Sequence, residues 1–189
     1  MSDGVATRTK SGIFVLAPIH GPSGERIAEV QAEFDPKLAR LGSPHVTLAG
    51  SSGMGPILAG TPVEQLEEQL APIAERTAPI EIRFGAPTRF MQTEIVVLPL
   101  DPHGPLRALH EAIKTSGLRA TAPRFYFTPH ITLSLYREQP REVIRALLAM
   151  RFDEPATIDT IECHLTKDTG ESRELLVLSL RGQLKHSEE

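Results

Sequence analysis

An α+β fold with antiparallel sheets is the class this sequence predicts, and three observations point to it. Short apolar runs rich in β-formers alternate with amphipathic helical stretches. The segments between them include both hairpin-like and crossover lengths. A five-residue motif occurs twice, as Pro44-His45-Val46-Thr47-Leu48 and as Pro129-His130-Ile131-Thr132-Leu133. Its histidines lie 130 − 45 = 85 residues apart in a chain with only seven histidines, so chance explains the repeat poorly. A two-fold-like fold that brings the copies face to face across a groove would give the repeat a chemical use.

Each element has its own signal. Residues 12–17, Gly-Ile-Phe-Val-Leu-Ala, read as a buried strand. Glu25 to Phe34 reads as a helix with Ile27, Val30 and Phe34 on one side, ending before Asp35-Pro36 because a residue preceding proline resists the helical region. The first motif strand spans Pro44 to Ala49, and residues 50–60 form a loop with four glycines and one proline. Thr61-Pro62-Val63-Glu64 predicts a helix start, with Thr61 as cap, Pro62 in the first position and Glu64 closing a capping box. Leu66, Leu70 and Ile73 continue that helix's apolar stripe. Strands are expected over 79–84 and 94–100, with a bend or bulge at residues 85–90. Pro105 to Thr115 reads as a helix carrying Leu106, Leu109 and Ile113 on one face, stopped near Gly117. The second motif strand is expected over Phe125 to Leu135, a helix over Arg141 to Met150, and strands over 157–166 and 174–180. The tail from Gln183 is polar. A two-copy repeat is not a solenoid, and the expected organisation is one domain over residues 1–189, built as two fused lobes.

Composition narrows the function. A formal charge of −4 and a pI of about 6.0 argue against a long basic grip on nucleic acid and favour a small ligand or a strand end. No apolar run approaches the roughly 18–20 residues needed to span a bilayer. Residues 1–10 lack the apolar stretch of a signal peptide. The single cysteine, Cys163, excludes an intrachain disulfide and a cysteine-rich metal site. Together these predict a cytoplasmic protein.

The motif carries the chemistry. Alternate residues of a strand share a face, so one side of the first copy presents Ser43, His45, Thr47, Ala49 and Ser51. The second copy presents Thr128, His130, Thr132, Ser134 and Tyr136. The opposite sides are apolar and suit a core. Two matched His-x-Thr pairs suit a tetrahedral oxyanion: threonine hydroxyls donate to its oxygens. Imidazoles titrate near pH 6.5 when unperturbed, so one can be neutral while the other is charged. That pairing is what in-line displacement at phosphorus requires.

With these motifs the chain resembles the two-histidine phosphoesterases, whose members include the 2′–5′ RNA ligase and cyclic phosphodiesterase group. The resemblance spans roughly Gly12 to Leu180, and both copies satisfy the family's His-x-Thr/Ser-x pattern without substitution. It implies two pseudo-symmetric lobes of antiparallel sheet flanked by helices, with a V-shaped groove between them. It also implies metal-independent hydrolysis of a 2′,3′-cyclic phosphate, on a nucleotide or an RNA end, to a 2′-phosphate. By position, His45 and His130 become the acid/base pair, and Thr47 and Thr132 the phosphate holders. No cofactor and no metal are expected, since zinc normally takes three or four ligands, and the protein is expected to act as a monomer. Two rivals stand beside this reading: an RNA-end enzyme of the 2′–5′ ligase kind, and a nucleotide-binding module without turnover.

Other residues are weaker candidates. Tyr136 and Tyr126 have the parity of His130 and could meet the phosphate or a base, whereas Phe125 and Phe127 read as core. Arg124 and Arg137 flank the second strand as anion-attracting or solvated charges. The loop at 50–60 either closes over a ligand or merely connects. His20, His103, His110, His164 and His186 read as structural or exposed, and Cys163 as a small buried residue.

Overall fold

The computed structural model describes residues 11–90, 93–135, 138–167 and 171–183. Its elements, in order, are β1 (Gly12–Pro18), α1 (Gly21–Phe34), α2 (Pro36–Ala39), β2 (His45–Ala49), α3 (Val63–Arg76), β3 (Ile80–Ile82), β4 (Thr88–Arg89), β5 (Val96–Pro99), α4 (Gly104–Lys114), β6 (His130–Ser134), α5 (Arg141–Ala149), β7 (Ala156–Ile158), β8 (Thr160–Thr166) and β9 (Ser172–Ser179). They form a four-stranded sheet ordered β2-β1-β8-β9, a three-stranded sheet ordered β4-β5-β6, and a β3-β7 pair. Every strand pairing is antiparallel, as the α+β reading requires.

The repeat extends well beyond the motif. β1 meets β2 with Pro18 opposite His45 and Leu16 opposite Thr47, and the register shifts between Val15 and Leu16. β5 meets β6 with Pro99 opposite His130 and Val97 opposite Thr132, and the register shifts between Val96 and Val97. Just past each proline the next residue donates to the residue before the histidine: Ile19 N–H to Pro44 O at 2.8 Å, Leu100 N–H to Pro129 O at 3.0 Å. After each of these strands the chain reads His-Gly-Pro, at 20–22 and at 103–105, and enters a helix. Gly21 and Gly104 take φ of 74° and 68°, a conformation only glycine adopts without strain. Each following proline then presets the first helical turn.

The helices also tie the halves together. From α1, the Gln31 side-chain amide donates to Thr132 O at 2.8 Å. From α4, His110 donates its Nδ1–H to Leu48 O at 2.8 Å. Buried Asp35 accepts from Leu135 N–H at 2.7 Å and caps α2 by accepting from Leu38 N–H at 3.1 Å. One apolar cluster runs through both sheets, with Val46, Leu48, Ile131 and Leu133 fully buried beside Ile27, Leu66, Leu70, Leu109 and Ile113.

Several expected boundaries move, each for a local reason. Thr61 does not cap α3: its hydroxyl donates to Leu58 O at 2.8 Å, closing the turn before the helix, and extended Pro62 becomes the cap residue. α1 begins at Gly21, four residues before the expected start, because Pro22 favours the first turn. The second motif strand begins only at His130, since residues 125–128 bond to the 50–60 loop instead: Gly53 N–H donates to Phe125 O at 2.8 Å, and Thr128 N–H to Ser52 Oγ at 3.3 Å. The strand expected over 157–166 divides at Asp159 into β7, paired with β3, and β8, paired with β1. A two-residue strand, β4, lies where a bend was expected. Among the described residues, no helix is long and apolar enough to cross a membrane.

Candidate active site

Backbone alternation sorts the motif residues as expected. Val46 and Leu48 are fully buried while His45 and Thr47 are half-buried, and Ile131 and Leu133 are fully buried while His130 and Thr132 are half-buried. The shared face closes at its far end, where Ala49 and Ser134 are fully buried. β2 and β6 pack against each other, so the structure brings together the two strands that carry the His-x-Thr pairs.

The imidazoles are held alike. His45 donates its Nδ1–H to Ser43 O at 2.8 Å, and His130 donates its Nδ1–H to Thr128 O at 2.7 Å. A ring nitrogen that donates to a carbonyl fixes the tautomer, leaving Nε2 of each ring free to take or give a proton. Burial lowers both pKa values below the ordinary histidine range, and the backbone hydrogen bond opposes this in each case. A charge on His164 lowers the His45 pKa further, and the Glu162 carboxylate raises it. His130 instead has Phe90 beside it, ring centroids 4.8 Å apart and tilted by 37°. Thr47 is packed tightly. A side chain at Gly50 would run into the Phe14 ring and the Thr47 methyl, at 2.3 Å and 2.9 Å from a Cβ placed there.

The remaining candidates fall differently. Tyr136 and Arg137 lie outside the described residues. Tyr126 is 95% exposed and sits on the connection before β6, not on the strand. Phe125, expected in the core, is 43% exposed because residues 125–128 run over the 50–60 loop; Phe127 is buried as expected. Arg124 is an exposed charge. The 50–60 loop is no lid: residues 52–57 are buried, and the N–H groups of Gly50, Gly53, Met54, Ile57 and Leu58 are all spent on backbone carbonyls. Cys163 is buried, with its thiol pushed up to about 12 by burial.

Two histidines outside the motif separate sharply. His110 is fully buried, stacked on Phe127 with centroids 3.8 Å apart, and its Nε2 has no hydrogen-bond partner. His164 lies half-buried on β8, its Nε2 hydrogen-bonded to Glu162 Oε2 at 2.7 Å. With exposed Glu174 of β9 these two form a cluster whose donor atoms all lie within 4.8 Å of one another. A Glu-x-His pair on a predicted strand was the available sequence signal, but nothing in the sequence says which strand lies beside β8.

The chain belongs to the 2′-5′ RNA ligase superfamily, a grouping of two-histidine phosphoesterases: its residues 19–170, which hold both motifs, match that family's profile. A Geobacillus kaustophilus protein named "Putative phosphoesterase GK0864" is 38% identical over 72 residues, a match spanning 38% of this chain and 41% of that protein's length. Among solved structures, TT0787 of Thermus thermophilus superposes with a TM-score of 0.65 at 19% identity, covering 91% of this chain and 99% of that one. Escherichia coli LigT complexed with NADP+ gives 0.55 at 18% identity, covering 92% and 99%. LigT complexed with 3′-AMP gives 0.54 at 17% identity over the same shares. At these identities the structural likeness establishes the shared fold.

Proposed function

We propose that this chain is a monomeric, cytoplasmic phosphodiesterase that opens 2′,3′-cyclic phosphates, on a nucleotide or an RNA end, to 2′-phosphates. We further propose that its two halves work as one domain around a common groove. The observation that carries this reading is the matched pair of imidazoles, each anchored through Nδ1 with Nε2 free and each followed by a threonine on the same face. One neutral imidazole removes a proton from water as its oxygen attacks phosphorus. The P–O3′ bond breaks, and the other imidazole, protonated, gives its proton to the departing 3′ oxygen. One water is consumed, and the site is left with the two histidines' protonation exchanged. Thr47 and Thr132 donate to the non-bridging oxygens, where charge builds in the transition state. The LigT structures hold 3′-AMP, ATP and NADP+, which supports a nucleotide-like ligand here.

The test is a product assay with the four 2′,3′-cyclic nucleotides, resolving 2′- from 3′-phosphate. Release of 2′-phosphate, lost in His45→Ala and in His130→Ala, supports the proposal. No turnover of any of the four, or turnover that survives both substitutions, overturns it.

A further inference from the structure

The 50–60 loop does not cover a ligand, yet one of its side chains reaches the second motif. Ser52 lies three residues past the end of β2 and is buried. It runs beside Phe125 in a parallel bridge. Three hydrogen bonds join this part of the loop to the connection before β6. Arg124 N–H donates to Ser51 O at 3.3 Å, Gly53 N–H to Phe125 O at 2.8 Å, and Thr128 N–H to Ser52 Oγ at 3.3 Å. The first two are made by backbone alone. Only the third depends on a side chain, and its donor is the residue whose carbonyl accepts the His130 Nδ1–H at 2.7 Å. The hydroxyl sits on a fixed frame: Gly50 N–H donates to Met54 O at 3.0 Å and Met54 N–H to Ser52 O at 2.7 Å. Packing is close as well, since a Cβ placed on Gly53 would lie 2.4 Å from His110 Nε2 and 2.8 Å from Phe127 Cβ.

We propose that Ser52 is a positioning residue for His130, which rests on the reading of His130 as an acid/base residue. Its hydroxyl fixes Thr128 so that the Thr128 carbonyl takes the imidazole's Nδ1–H and Nε2 is left for proton transfer. Thr128 needs such a hold because the β5–β6 ladder begins only at His130. As the residue before a proline, Thr128 is restricted to extended backbone. The chain on its far side is held through Pro129, whose carbonyl accepts from Leu100 N–H at 3.0 Å. Ser52 holds the near side, at the Thr128 N–H. The Thr128 hydroxyl points elsewhere, donating to Tyr126 O at 3.0 Å. Ser52 belongs to the first half and His130 to the second, so a loop of one half orients the imidazole of the other. His45 has a separate anchor, Ser43 O, which precedes β2 and so lies at the opposite end of that strand from Ser52.

The experiment compares the full chain with Ser52→Ala, which deletes the acceptor, and Ser52→Thr, which keeps it. Nitrogen NMR of the histidine rings at about pH 7.5, where an ordinary histidine is mostly neutral, reads which nitrogen of each imidazole carries the proton. In Ser52→Ala the Nδ1–H form of His130 should lose population while that of His45 stays in place, and Ser52→Thr should keep the parent pattern at both rings. On a 2′,3′-cyclic nucleotide, Ser52→Ala should lower kcat about tenfold with KM changed less than about twofold, since a small misplacement of a reacting group costs rate more than binding. Urea unfolding of the same samples shows whether each variant is folded. The tautomer is read without turnover, so an inactive parent chain sinks the proposed reaction alone, and this inference stands or falls on the ring resonances. An unchanged His130 tautomer in Ser52→Ala overturns it, and so does a change that His45 shares equally. A His130 change that Ser52→Thr reproduces at the parent's urea midpoint overturns it too, because the hydroxyl is then not the cause. Lower stability with both tautomers unchanged would make Ser52 a clip for the loop and end the positioning role.

Discussion

His110 is the residue whose removal tests the architecture most directly. Replacing it with alanine deletes the donor to Leu48 O, the carbonyl next to Thr47 on the first motif strand. A buried carbonyl left without a partner costs about 1–3 kcal/mol. The stack on Phe127, at 3.8 Å and 9° between planes, is worth about 0.5–1.5 kcal/mol. The fully buried ring leaves a cavity, and truncating large buried side chains costs about 2–5 kcal/mol in comparable cases. Against this stands Nε2, buried without a partner in the native protein, whose removal returns about 1–3 kcal/mol of desolvation. The balance is a loss of about 4 kcal/mol, a large share of the roughly 5–15 kcal/mol a domain holds. His110→Phe separates the contributions, since it keeps ring volume and stack and discards the orphan nitrogen; its expected loss is about 1 kcal/mol. Urea unfolding at about pH 7.5, read from the midpoint at constant slope, measures both. Turnover well below the melting temperature should fall less than in the motif-histidine variants, because the ring supports the strand from behind and does not share its half-buried face. A loss under about 0.5 kcal/mol for His110→Ala would refute the buttress, and a loss for His110→Phe as large as for His110→Ala would show that the hydrogen bond, not the packing, dominates. Exposed His103, which makes no side-chain cap to α4, supplies the neutral control.

Four further outcomes are expected. His45→Ala and His130→Ala should each lower the rate by about 10²–10⁴-fold, the double variant should fall well short of the product, and Thr47→Ala and Thr132→Ala should cost less, as each removes one neutral donor; steady-state kinetics decide. The pH profile of kcat/KM should be bell-shaped and centred below about pH 6.5, because burial lowers both imidazoles and this parameter reports the free enzyme; an optimum above about pH 7.5 would contradict the geometry. Stability should fall on acidification: His45, His110 and His130 are all lowered in the folded state, so the unfolded chain takes up protons first as pH drops through about 6.5, and urea midpoints should decrease from there toward about pH 5. Chelator treatment should leave turnover unchanged, since protons and hydroxyls supply the charge stabilisation proposed, and a loss restored by added zinc or manganese would refute that mechanism.

The sequence made the motif and its alternation legible because a strand's two faces differ in every second residue, and one buried face demands that pattern. His45, Thr47, His130 and Thr132 therefore lie on the half-buried face of their strands as the alternation predicted, and the apolar stripes Leu66-Leu70-Ile73 and Leu106-Leu109-Ile113 bury as their spacing requires. What stayed hidden depends on pairing between distant segments. Glu162 shares a row with Thr47 across 162 − 47 = 115 residues, and no local pattern encodes that register. For the same reason His110 and His164 looked alike in sequence: one turns inward from a helix and the other outward from a strand, and only packing tells them apart. The second repeat, His-Gly-Pro at 20–22 and 103–105, was visible in the sequence and marks the helix that leaves each sheet. The proline opposite each motif histidine has a physical use as well. A proline offers no N–H to a ladder and so belongs at a strand's end. With the paired strands ending at Pro18 and Pro99, the carbonyls of Ser43 and Thr128 lie beyond the ladder and each accepts from the imidazole two residues later. One backbone constraint, used twice, thus sets the tautomer of both rings, and a variant such as Pro18→Ala that lengthens the ladder should disturb His45 while leaving His130 in place.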